Sequence, residues 1–136
     1  MYVVPEIRLK EYPSTREYRD HDPIDGEAIK VVSGDAVIIN GEKHYLASVY
    51  APQIARPRCM DEVGKGLMAA GRLRLLLKGP IMVRPAISLD LKRIPAVHLS
   101  SNNEDVGFRL VKEGLAVYSG RAANSEENLT YWCRSS

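Results

Sequence analysis

The sequence holds only two cysteines, Cys59 and Cys133, one tryptophan, Trp132, and one phenylalanine, Phe108. Cysteines this far apart match no metal-ligand spacing, which leaves either two free thiols or one long-range disulfide. No apolar run approaches the roughly 20 residues of a membrane span, so no membrane partner is expected, and the N-terminus shows no signal-peptide pattern. Neither sign of charge dominates: 19 basic and 17 acidic residues give a net charge of +2 at pH 7. That balance lacks the marked basic excess of a dedicated nucleic-acid binder. Internal repeats and low-complexity tracts are missing too, which excludes solenoid and fibrous architectures. What remains is an ordinary globular composition, 45% apolar and 26% charged over 136 residues, long enough for one domain with a real core.

The clearest local signal lies between Val31 and Gln53. Two apolar runs, Ala36–Ile39 and Tyr45–Val49, flank Asn40-Gly41, a pair that accepts the positive φ angles of a tight hairpin. Ser33-Gly34-Asp35 forms a turn before the hairpin, and Ala51-Pro52-Gln53 stops the strand after it. Glu27–Val32 reads as a further strand, and residues 1–26, with Pro5, Pro13, Pro23 and a charged run, read as an N-terminal arm. The domain proper is then 27–136.

From Cys59 to Lys78, Met60, Val63, Leu67, Ala70, Leu73, Leu76 and Leu77 recur at three- and four-residue steps, the pattern of a long helix. Asp61 and Glu62 in its first turn, and Arg74 and Lys78 in its last, suit the helix dipole. Gly64, Gly66 and Gly71 are expected to mark close packing. Ile81–Pro85 and Ala96–Leu99 read as strands, Val106–Glu113 as a short helix ended by Gly114, Leu115–Tyr118 as extended chain, and Ser125–Cys133 as a last short helix. The order β-β-β-α-β-β-α predicts an α+β domain, mainly β: a five-stranded OB-type barrel with an inserted long helix and trailing C-terminal helices.

These elements resemble the staphylococcal nuclease-like (thermonuclease) family across most of 27–118. The hairpin region matches its opening. Gly66-x-x-Ala69 with Leu73-x-x-Leu76-Leu77-Lys78-Gly79 looks like its first helix, and Lys92-Arg93-Ile94-Pro95-Ala96-Val97 falls where the family has Y-G-R and a strand. Asp105–Ala116 is similar to its N-x-x-L-V-x-x-G-L-A helix and exit. The resemblance implies a calcium-dependent endonuclease with two aspartates on calcium, a glutamate beside them and two arginines.

Carried over position by position, that set is largely replaced. Asp35 falls on the first aspartate and Arg93 on the second arginine, but Tyr50 stands at the other aspartate, Gln53 at the glutamate and Tyr45, beside His44, at the first arginine. One carboxylate is a poor site for a hard dication, glutamine cannot take a proton from water, and tyrosine lacks the guanidinium fork that grips phosphate. The expected function is therefore a non-catalytic binding module without a cofactor, its partner either nucleic acid, held weakly by Arg56, Arg58 and Lys92, or another protein. The alternative is a live metal-dependent phosphodiesterase drawing calcium ligands from Asp90 or from Asp20, Asp22 and Asp25. A purely structural or assembly module is the third reading. On their own, Asp35 reads as a turn residue bonding its own backbone and Arg93 as a surface ion pair or strand-edge charge, while His21 lies in the charged arm and His44 and His98 read as solvated or hydrogen-bonded strand residues. A Cys59–Cys133 bridge would tie the weakly apolar C-terminal helix to the long helix and imply an oxidising compartment, exported or periplasmic; two buried free thiols would not. Compartment and oligomeric state stay open.

Overall fold

The structure is a computed structural model that describes residues 23–86, 94–118 and 132–133. Residues 1–22, Asp90, Lys92, Arg93 and most of the expected last helix lie outside the described residues. The elements in chain order are β1 (Ile24–Asp25), a 3-10 turn (Gly26–Ala28), β2 (Lys30–Ser33), β3 (Ala36–Ile39), β4 (Glu42–Leu46) and β5 (Val49–Tyr50). They continue with α1 (Met60–Leu76), β6 (Pro80–Ala86), β7 (Ala96–Ser101), β8 (Glu104–Asp105), α2 (Val106–Lys112) and β9 (Val117–Tyr118). The described part is thus α+β, mainly strands, with two helices.

The main sheet runs β1-β6-β7-β4-β3-β2, with β8 added to β7. All its pairs are antiparallel except β4 with β7, which run parallel through Tyr45↔Ala96 and Leu46↔Val97. The first stretch of chain pairs at both ends of this sheet: Ile24 meets Ile81 on β6, and a few residues later Val31 meets Val37 on β3. One bent segment therefore draws the two edges together, and the sheet curls into a barrel-like shape. A separate two-stranded ribbon joins β5 to β9.

The bend has a local cause. Asp25 accepts a hydrogen bond from the Glu27 amide at 3.0 Å and caps the 3-10 turn, while the Gly26 amide donates to Gly79 O at 2.8 Å. A Cβ on Gly26 would lie 2.2 Å from the Leu77 carbonyl oxygen, so only glycine lets the chain pass here. This corrects the expected strand at Glu27–Val32, whose first half is turn. The expected strand at Tyr45–Val49 is also broken: Ser48 adopts φ 68°, and β5 leaves to pair with β9. The Asn40-Gly41 hairpin forms as expected, with φ of 53° and 79°.

Alternation supplies the core. Ile81 and Val83 of β6, Val97 and Leu99 of β7, and Val37 and Ile39 of β3 point inward. α1 closes one side with Gly66, Ala69, Ala70 and Leu73. Gly66 is a close-packing point, since a Cβ there would meet Pro52 O at 2.9 Å and Ile54 Cγ1 at 2.8 Å. Gly64 and Gly71 are not packing points among the described residues, none of which lies within 4 Å of a Cβ at either position. α1 is joined to the end of α2 by a fork in which Arg72 Nε and Nη2 donate to the Glu113 carboxylate at 2.7 and 2.9 Å. Arg72 first, helped by Arg109, holds the Glu113 pKa down to about 2. The support this pair gives is present above the ordinary glutamate range and is lost as pH falls towards 2; being exposed, it is small.

Cys59, at the N-cap of α1, is bonded to Cys133 across 74 residues of sequence. Beside it Trp132 is buried, and Lys65 Nζ donates to Trp132 O at 3.1 Å. The bridge reading, left open by the sequence, is the one the structure shows. In the chain-entropy account a loop this long is stabilised by about 4 kcal/mol. We expect no titratable thiol on the unfolded, unreduced protein. Cys133→Ser should lower the unfolding free energy by about 2–4 kcal/mol in urea titrations.

Candidate functional site

The place where the sequence resemblance would put an active site is built around the β2–β3 turn. Gly34 threads between α1 and the loop after β5, since a Cβ on it would lie 2.7 Å from the Ala69 methyl and 2.8 Å from that of Ala51. This close passage turns the next side chain, Asp35, inward, where it is only 9% exposed. Ser33 Oγ donates to Asp35 Oδ1 at 2.7 Å, and the Ala51 amide donates to Oδ2 at 3.0 Å. Burial pushes the Asp35 pKa up, opposed by these two bonds and, more distantly, by Lys43. The carboxylate does more than close its own turn. It reaches 16 residues along the chain to hold the far end of the hairpin.

Tyr50 follows on β5 and is 3% exposed. Burial raises its phenol pKa, with the Arg58 charge acting against it and Glu62 and Asp35 adding to it. Gln53 does not face a reaction space: its Nε2 donates to Ala51 O at 3.0 Å. The partner of this loop is Glu62, fully buried on α1, whose Oε2 accepts from the Gln53 amide at 2.9 Å and whose Oε1 accepts from the Arg58 amide at 2.7 Å. The Arg58 guanidinium lies 3.9 Å from Oε1. A buried carboxylate that takes two backbone N–H donors is satisfied in the way the interior demands.

Sequence reasoning gave Glu62 only a helix-dipole role. The signal that finds it is positional: it shares a face with Gly66, Ala69 and Leu73 at four-, seven- and eleven-residue steps, and a charge there is buried. Of the residues expected at the site, the structure brings Asp35, Tyr50, Gln53 and Arg58 to one region. Arg56 and Arg58 are exposed on the connector before α1, and Tyr45 lies on β4 with Lys43 Nζ 5.4 Å from its ring centre. Among the described residues no group of three or more histidine, cysteine or acidic side chains is arranged to hold a metal ion. Each oxygen of Asp35 and of Glu62 already accepts a hydrogen bond from the protein. Comparison with protein-family models and with curated proteins finds no match to this chain.

A second feature lies on the outer side of the β6–β7 hairpin. A groove of ≈ 470 Å³ is lined by Arg84, His98, Ser100, Asn103 and Asp105, among others. Strand register sets Arg84 opposite His98 and Ser100 opposite Asp105. Asp105 is fixed twice, because Oδ1 accepts from the Phe108 amide at 2.9 Å as the cap of α2 while Oδ2 lies 3.0 Å from His98 Nδ1. A carboxylate only accepts, so Nδ1 carries the hydrogen and Nε2 is the ring's second polar atom. The groove therefore presents guanidinium, imidazole, hydroxyl, amide and carboxylate groups beside the apolar Met82 and Val83.

Asp35 supplies a pH test of its burial. Its folded pKa is raised, so the stability it contributes is present below the unfolded value of about 3.9 and is lost as pH rises through the folded value. Asp35→Asn keeps an acceptor for the Ala51 amide and removes the charge. In urea titrations from about pH 4 to about pH 8, wild-type stability relative to Asp35→Asn should fall as pH rises.

Proposed function

We propose that this chain is a staphylococcal nuclease-like domain of OB type in which the hydrolytic site has become a structural lock, leaving a non-catalytic binding module. The fold part of this reading is supported by the strand order. The five principal strands follow β2-β3-β4-β7-β6, with the one parallel pair at β4–β7 and α1 inserted before β6. A barrel closed by a bent first strand is the arrangement an OB-type domain requires.

The observation that carries the functional part is the state of Asp35. Attack on a phosphodiester by a metal-held water needs a carboxylate free to face cation and solvent, a base and a guanidinium pair. Asp35 instead faces the hairpin end, Tyr50 and Gln53 fill the neighbouring positions, and the second carboxylate bonded to this loop, Glu62, holds backbone amides. The live-enzyme reading needs ligands from Asp20, Asp22, Asp25 or Asp90, and Asp25 is engaged as a cap.

For the binding surface, Arg84, His98, Ser100 and Asn103 offer donors to phosphate oxygens in a groove that Met82, Val83 and the Asp105 carboxylate also line, and the exposed Arg56 and Arg58 add positive charge elsewhere on the surface. With a net charge of only +2, binding to single-stranded nucleic acid is weak and strongly salt-dependent. No calcium-stimulated cleavage of single-stranded DNA or RNA is expected, and low-salt titrations should show binding whose salt slope falls by about one unit in Arg84→Ala. Calcium-dependent turnover abolished by Asp35→Ala would overturn the non-catalytic reading. No binding at low salt would overturn the nucleic-acid partner and favour a protein one.

A further inference from the structure

The groove on the outer side of β6 and β7 holds charges that cancel. Arg84 supplies one positive charge and Asp105 one negative, and the other lining residues apart from His98 are neutral. Arg72, Arg109 and Lys112 are each paired with a glutamate, whereas Arg84 forms no ion pair among the described residues. His98 therefore decides the sign of the groove. Neutral, it leaves one charge of each sign. Protonated, it makes the groove net positive.

Geometry sets what the imidazole offers in each state. Strand register puts His98 directly across from Arg84 on β6, and Ser100, two residues on and on the same face, stands across from Asp105. Asp105 is held in place by its second task as cap of α2, with its Oδ2 3.0 Å from His98 Nδ1. Nδ1 is thereby committed, and Nε2 is the ring nitrogen left for a ligand. On the neutral ring Nε2 is a bare acceptor, which a phosphate oxygen, itself an acceptor, cannot use. On the charged ring it is a donor carrying positive charge. Solvent protons reach it, because the His98 side chain is 38% exposed. The charged groups on the elements around it are Arg84 of β6 and Asp105 of β8. Glu104, next to Asp105, is taken by Arg109 and Lys112 of α2, and β4 meets β7 at Ala96 and Val97, where it contributes the phenol of Tyr45.

We propose that His98 is the proton switch of this groove: it holds a phosphodiester of a single strand through Arg84 and His98 together when His98 is protonated, and through Arg84 alone, opposed by Asp105, when it is not. This inference rests on the nucleic-acid reading proposed above and adds its regulation. Binding is stronger on the acid side of neutrality.

Fluorescence-anisotropy titrations of a labelled single-stranded oligonucleotide with the full oxidised chain test it. They are run over a range of salt at about pH 8 and about pH 5.5, on either side of the range in which histidine changes charge. Between the two, the wild-type salt slope should steepen by about one unit more than that of His98→Gln, the value of one further phosphate contact. Whatever His21, His44 and the rest of the chain contribute is common to both proteins. Asp105→Asn keeps an oxygen to cap α2 and removes the opposing charge, so it should bind more tightly than wild type at pH 8. Slopes that steepen equally in wild type and His98→Gln, or an Asp105→Asn that binds more weakly at pH 8, overturn the switch and leave the nucleic-acid reading standing. No binding at either pH overturns both.

Discussion

The hydrogen bond from the Ala51 amide to Asp35 joins the start of the hairpin to its end, and the opening half of the domain is arranged by it. Asp35 is the last residue of a turn, Ala51 the first after β5, and the chain between them makes β3, β4 and the break at Ser48. Holding these ends together sets where β5 leaves the main sheet to meet β9, and so how the end of α2 is gathered in. The bond is made in the interior, where a hydrogen bond to a carboxylate is stronger than at the surface and where leaving the amide unpaired would cost about 1–3 kcal/mol. Ser33 completes the arrangement from the other side.

Glu62 repeats the device on α1. It is a second buried carboxylate that accepts backbone N–H groups, and it fixes the 53–58 connector against α1. The Cys59–Cys133 bridge then ties the C-terminal end of the chain to the same helix start. Two buried carboxylates that hold backbone amides and one disulfide converge on one corner. In this corner every carboxylate oxygen of Asp35 and Glu62 is engaged by a donor of the protein itself.

The parts legible in the sequence were those with a short-range cause. Asn40-Gly41 announces its hairpin because both residues take positive φ, and α1 announces itself by periodicity and by the charges at its ends. The two cysteines offered a bridge without settling it, since spacing carries no geometry. Missed features depend on contacts between distant segments. The 3-10 turn at Gly26–Ala28 exists because Gly26 must pass the Leu77 carbonyl, and Ser48 breaks its strand because β4 and β5 have different partners. Glu62 was read as a helix-end charge because the same first-turn position serves that role at a surface. Gly64 and Gly71 share the helix with Gly66, but among the described residues only Gly66 of the three has a neighbour that a Cβ would meet.

The central claim is that Asp35 is an interior hydrogen-bond acceptor and not a cation ligand. It is tested most directly by the carbon-13 resonance of the Asp35 side-chain carboxyl, followed against pH and then against calcium. The account predicts a titration displaced upward from the ordinary aspartate range and a resonance that calcium does not move. A titration below that range together with a saturable calcium-dependent shift would contradict it.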